Sequence, residues 1–104
     1  TGLSYAPQDI RLRNNLGITL AWLGRYEEGV KILAGGINEA QAYNNIGYIA
    51  LLKKDYLLAI DYFNKALELS PTYYVRAASN LQNAKQQLKK QAASNQKGIV
   101  HKQD

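Results

Sequence analysis

Ala40-Gln41-Ala42-Tyr43-Asn44-Asn45-Ile46-Gly47-Tyr48-Ile49 is the stretch on which the fold turns, because Arg13-Asn14-Asn15-Leu16-Gly17 runs through the same pattern 30 residues earlier. A second match keeps the register: Leu23-Gly24-Arg25-Tyr26-Glu27 returns as Lys53-Lys54-Asp55-Tyr56-Leu57. Two matches at one displacement mark an internal repeat, in which each unit is too small to bury its own apolar face and stacks on the next. Each unit reads as helix, tight turn, helix: residues 10–23 then 26–34, and 40–53 then 56–69.

Periodicity makes these helices rather than strands. Tyr56, Ala59, Ile60, Phe63, Ala66 and Leu67 recur at steps of three and four, while Asp61, Asn64, Lys65 and Glu68 take the other side. Asp61 and Lys65 stand at i and i+4, the spacing of a helical ion pair. Pro71 cannot continue the hydrogen-bond ladder, so this helix ends near Ser70 and Thr72 is expected to cap the next one. Gly47 and Ala59, nearly without side chains, let two antiparallel helices approach, and Tyr43, Tyr56 and Phe63 fill the wider gaps.

On these residues the second unit resembles the tetratricopeptide repeat: an aromatic at Tyr43, the pair Ile46-Gly47, then Asp55-Tyr56, Ala59, Phe63, Ala66 and Pro71. The resemblance implies an all-α fold, antiparallel helix-turn-helix repeats in a short right-handed solenoid with a C-terminal capping helix. The first unit keeps Gly17 in the place of Gly47 but has Gly29 for Ala59 and Leu33 for Phe63. Its period of 30 falls about four residues short of the family's roughly 34, close to one helical turn, so the buried face is preserved. Gly35-Gly36 is read as its helix stop and not as a phosphate loop, since no strand precedes it and no Lys-Ser/Thr follows. The expected organisation is residues 1–9 as the remnant of a preceding repeat, 10–39 a shortened repeat, 40–73 a full repeat, 74–93 a capping helix and 94–104 a flexible basic tail. In the capping helix Ala77, Leu81, Ala84 and Leu88 form a narrow apolar stripe among Arg, Lys, Gln and Asn.

Composition narrows the chemistry. The 104 residues, 46% hydrophobic, suit one folded domain with a surface or groove and not an enclosed catalytic cavity. No cysteine is present, which removes disulfides, thiolate metal sites and a cysteine nucleophile. The single histidine, His101, has only Asp104 beside it, so neither a triad nor a metal site can be assembled around it. Glu27, Glu28, Asp55, Asp61 and Glu68 fall at helix starts or on polar faces, where dipoles and ion pairs account for them. No catalytic residue, metal or cofactor is expected. The net charge of +5 is unevenly spread: through Val75 seven basic residues balance seven acidic ones, and the excess lies in Arg76, Lys85, Lys89, Lys90, Lys97 and Lys102. That pattern suits the solvated face of a terminal helix.

The expected function is to hold a protein or peptide. The family resemblance implies a concave groove lined by the first helix of each unit, which would present Arg11, Asn14, Asn15, Ile18, Ala21 and Trp22, then Gln41, Asn44, Asn45, Tyr48, Leu51 and Leu52, with Val75, Ala78 and Gln82 added by the capping helix. Aromatic rings beside amide side chains suit an extended or helical peptide, the rings for contact area and the amides for its backbone. Asn15 and Asn45 either meet the ligand or bond the neighbouring repeat, and Trp22 either lines the groove or fills the core. Some family members grip a C-terminal carboxylate with paired Asn and several basic residues. Asn15, Asn45 and Arg11 fit such a clamp, but Val75 and Ser79 stand where cations are wanted.

A narrower resemblance rests on the opening stretch together with Leu69-Ser70-Pro71-Thr72-Tyr73-Tyr74 and Ala78-Ser79-Asn80-Leu81. These look like the C-terminal part of TadD-type proteins of the bacterial tight-adherence (Flp) pilus machinery. That family implies an outer-membrane lipoprotein facing the periplasm and a secretin or pilus-assembly subunit as partner; otherwise a cytoplasmic scaffold is expected. Two further readings stay open: binding of nucleic acid or an anionic surface by the basic C-terminal helix, although nucleic acid is not the expected partner, and self-association, as a homodimer through the exposed N-terminal end.

Overall fold

The computed structural model describes the backbone of residues 7–70, 72 and 74–103, and the side chains of residues 11–70, 72 and 74–94. Among these residues run five helices and no strand: α1 (Pro7–Trp22), α2 (Tyr26–Ala34), α3 (Glu39–Leu52), α4 (Tyr56–Leu69) and α5 (Val75–Gln103). α1 packs on α2 and α3 on α4 as two hairpins, α2 meets α3 between them, and α5 lies on α4. Along the other side α3 touches α1 and α5 more lightly. This is an all-α solenoid of helix-turn-helix repeats.

Each hairpin is turned by the same device 30 residues apart. The N–H of Gly24 donates to the Ala21 carbonyl at 2.9 Å and that of Arg25 to Leu20 at 2.8 Å; Lys54 donates to Leu51 at 3.0 Å and Asp55 to Ala50 at 2.8 Å. These paired bonds close the helix end around a left-handed residue, Gly24 at φ 87° and Lys54 at φ 68°. Glycine takes that conformation freely, whereas lysine carries a Cβ that crowds the following carbonyl.

Small residues then set how closely the helices lie. A Cβ on Gly29 would stand 2.7 Å from the Gly17 carbonyl oxygen, and one on Gly17 would stand 2.7 Å from Leu33 Cγ. In the second hairpin a Cβ on Gly47 would meet the Phe63 ring at 2.9 Å, and Phe63 and Ala59 are fully buried beside it. Leu33 and Ile46 complete the largest buried apolar side chains.

Several boundaries differ from the sequence expectation. α1 begins at Pro7, so residues 7–9 belong to its first turn, where a proline costs no hydrogen bond; the rest of the expected remnant, residues 1–6, lies outside the described residues. α2 has 9 residues against 14 in α4, as the shortened period requires. It does stop at Gly35-Gly36, yet Gly35 stays right-handed at φ −70°, and Asn38 opens α3 by accepting the Gln41 N–H at 2.8 Å. Pro71 lies outside the described residues. Thr72 does not cap α5: Tyr74 accepts the first bond of that helix, from Ala78 at 3.0 Å, while the Thr72 carbonyl accepts the Ser70 hydroxyl. α5 runs ten residues beyond 93, to Gln103, because Ala, Gln and Lys dominate it and no proline interrupts it. The helical ion pair joins Arg25 to Glu28 rather than Asp61 to Lys65.

Two substitutions test this account by urea unfolding. Lys54→Gly should raise stability by about 1 kcal/mol by relieving the left-handed lysine. Gly17→Ala should lower it by about 1–3 kcal/mol, since the new methyl meets Leu33 and the Gly29 carbonyl.

Candidate binding groove

α1, α3 and α5 enclose a groove of about 540 Å³. Ile18 and Trp22 come from α1, Asn44, Asn45, Tyr48, Ile49 and Leu52 from α3, and Arg76 and Asn80 from α5. The spacing of 18 and 22, of 45, 48 and 52, and of 76 and 80 is what one helix face presents. Trp22 and Tyr48 are 47% and 46% exposed, Leu52 50%. The wall is therefore apolar and wet at once, with the Asn44 and Asn45 amides from α3, the Asn80 amide and Arg76 guanidinium from α5, and no carboxylate among its lining residues. At its floor Asn44, 2% exposed, accepts a hydrogen bond from the Asn80 amide at 3.0 Å, tying α3 to α5.

The opposite side holds the two hairpins in register. The Tyr26 hydroxyl on α2 donates to Asp55 at the start of α4 at 2.5 Å, and the Tyr62 hydroxyl on α4 donates to Glu27 on α2 at 2.9 Å. The two rings meet edge to face at 6.2 Å. Lys53 donates to the Trp22 carbonyl at 2.8 Å and lies 5.3 Å from the centre of the Tyr26 ring. Burial pushes the Tyr26 phenol up to about 12, and the hydrogen bond to the Asp55 carboxylate adds to it. Tyr62 is raised in the same way, by burial first and by Glu27 second.

Residues 40–73 match the family model of the tetratricopeptide repeat. This segment is similar to a tetratricopeptide repeat. No curated protein matches the chain. Tetratricopeptide repeats are a non-enzymatic scaffold that mediates protein–protein interaction, and the matched repeat supplies α3 and α4, hence the central wall of the groove. No described helix is long and apolar enough to cross a membrane.

The repeat's first helices bring together Ile18, Trp22, Asn44, Asn45 and Tyr48 of the expected site, with Leu52 beside them. Trp22 faces the groove and not the core. Of the adjacent pair, Asn44 bonds within the fold and Asn45 is exposed on the groove wall. Leu51 and Ala21, expected on the groove, are buried in the core instead. Arg11 and Asn15 are exposed outside the groove lining; Asn14 is half-buried, its amide oxygen without a hydrogen-bond partner among the described residues. Gln41 belongs to a separate recess at the start of α3, with Leu69 and Tyr74. Ala78 and Gln82 stand on the wrong flank of the buried stripe Ala77, Leu81 and Ala84; Arg76 and Asn80, on the other flank, line the groove in their place. The stripe was legible in the sequence, but either flank of it satisfies the same periodicity.

The raised phenols give a pH dependence with a definite sign. A tyrosine whose folded pKa lies above the ordinary value of about 10 stabilises the fold while neutral. That stability is complete below about pH 10 and is lost as pH rises through about 12, the Tyr26 value. Denaturant midpoints measured from pH 8 upward should fall more steeply above pH 10 for the unaltered chain than for Tyr26→Phe. Parallel curves would remove the Tyr26–Asp55 bond from the account.

Proposed function

We propose that the groove between α1, α3 and α5 binds an extended or helical segment of a protein partner. The observation that carries this reading is the pair Trp22 and Tyr48, both about half-exposed along one apolar wall, in a chain whose Tyr26, Tyr62 and Phe63 are all buried. Trp and Tyr are the side chains that contribute most when an interface covers them. Asn45 and Asn80 sit where they reach a ligand backbone, and Arg76 favours a ligand that carries a carboxylate. Arg11, Asn14, Asn15 and Gln41 stand outside this lining and take no part in the contact proposed.

The partner that the narrower sequence resemblance favours is a secretin or pilus-assembly subunit, met at the periplasmic face of the outer membrane. Support for it comes from the run at residues 40–49 and from the segments at 69–74 and 78–81. Lys85, Lys89 and Lys90, all exposed on α5, keep binding of an anionic polymer as the competing reading.

A pull-down from bacterial envelope extract at physiological salt, with the unaltered chain and a Trp22→Ala, Tyr48→Ala variant as parallel baits, separates them. The variant should keep its helical content and lose binding by about tenfold or more, since each ring at a contact centre is worth about 2 kcal/mol or more. A secretin or pilus-assembly subunit retained only by the unaltered chain supports both levels of the proposal. Equal retention of proteins by both baits overturns the groove, and retention of nucleic acid by both moves the function to α5.

A further inference from the structure

Charge is divided between the two sides of the solenoid. Among the described side chains of α1, α3 and α5, the helices that line the groove, the bases are Arg11, Arg13, Arg76, Lys85, Lys89 and Lys90. The one acid there is Glu39, which lines the separate recess at the start of α3. On the opposite side α2 and α4 carry Glu27, Glu28, Asp61 and Glu68 against Lys31 and Lys65, with Asp55 just before α4. Arg76 brings the basic excess into the groove itself. It is exposed, makes no ion pair among the described residues, and stands in the first turn of α5, where the helix dipole is already positive and no acidic residue offsets it. A cation left uncompensated in this way draws anions to the groove. One turn further along α5, Asn80 donates its amide nitrogen to Asn44, which leaves its amide oxygen as an acceptor. A peptide N–H satisfies that oxygen and a carboxylate does not. Trp22 and Leu52 are the last residues of α1 and α3, so the apolar contacts lie toward the other end of the lining from Arg76.

We propose that the segment held in the groove is an internal, acidic stretch of the partner. One carboxylate side chain pairs with Arg76, a neighbouring backbone N–H meets the Asn80 oxygen, and apolar side chains cover Trp22, Tyr48 and Leu52. This rests on the reading of the groove as the binding surface and adds the chemistry of what it takes. A single guanidinium in the lining matches a single carboxylate, and about 540 Å³ accepts a few side chains rather than a folded domain. A partner's C-terminus laid on Arg76 would set carboxylate oxygens beside the Asn80 oxygen, acceptor against acceptor, whereas a chain that continues past its acid supplies the missing donor. Lys85, Lys89 and Lys90 stand outside the lining, so the acid is read by one cation at the groove and not by the basic surface of α5.

Random peptides displayed with both ends joined to a carrier protein are the probe, so that no free C-terminus takes part. Selection on the unaltered chain should enrich Asp or Glu together with large apolar residues. In a selected peptide, replacing the acid by its amide should weaken binding about tenfold or more, the loss expected for a hydrogen bond to a charged group. Arg76→Glu should lose the same peptides and bind versions that carry Lys in place of the acid. That substitution sets an acid where the helix dipole favours one, so the helical circular dichroism should be kept. Lys85→Glu with Lys89→Glu should leave the selected peptides bound. Peptides that bind the Trp22→Ala, Tyr48→Ala variant as well as the unaltered chain overturn the groove itself, and an absence of any enriched peptide overturns both levels. Peptides that need the two rings yet carry no acid, or that Arg76→Glu still holds, overturn the acidic partner and leave the groove standing. So do peptides whose acid answers to Lys85 and Lys89 instead of Arg76.

Discussion

Gly29 lies so near Gly17 that no Cβ fits between them, and this approach of α1 and α2 is the contact on which the first hairpin rests. With both backbones drawn together, Leu33 is sealed between the helices, and Gly29 also lies against Ile46, where a Cβ would come within 3.3 Å of its Cδ1. One small residue thus governs the packing inside a hairpin and between hairpins. The second hairpin meets the same constraint with another size distribution: Gly47 leaves room for the Phe63 ring, and Ala59 stands where Gly29 does. Close packing makes these choices interdependent, because volume lost on one helix must be supplied by its partner.

Apolar burial brings the hairpins together but is nearly indifferent to a small slide of one along the other. The directional contacts are Tyr26 to Asp55, Tyr62 to Glu27 and Lys53 to the Trp22 carbonyl, each joining the first hairpin to the second. Asn44 with Asn80 does the same between α3 and α5. Hydrogen bonds weaken steeply with misalignment, so these few fix the register that the core leaves loose. Their consequence appears on the far side, where Trp22, Tyr48 and Leu52 line one continuous wall although they come from two hairpins.

The same helix has two apolar faces with different histories in the sequence pattern. Ile18 and Trp22 on α1 turn toward α3 and its groove, while Leu12, Leu16 and Leu23 are exposed outside the groove lining. On α3 the outward face is covered by α2, which leaves only the groove side open. Repetition therefore distinguishes a surface meant to be packed by a helix from one left open within the stack, a distinction that exposure alone does not make.

Much of this was legible before any coordinates. The 30-residue displacement, the three-and-four spacing of apolar residues and the small residues at 17, 47 and 59 determined the helix pairs, their order and the shortened α2, because local periodicity and side-chain volume are properties of the chain itself. What only the tertiary structure decided was the side on which each helix meets the next. Arg76 and Asn80 flank the buried stripe of α5 as neatly as Ala78 and Gln82 do, and Asn44 and Asn45 differ by one position; the direction of packing buried Asn44 and opened Asn45. A helix of period 3.6 shows which residues share a face, but the rotation of that face toward its neighbour comes from contacts distant in sequence.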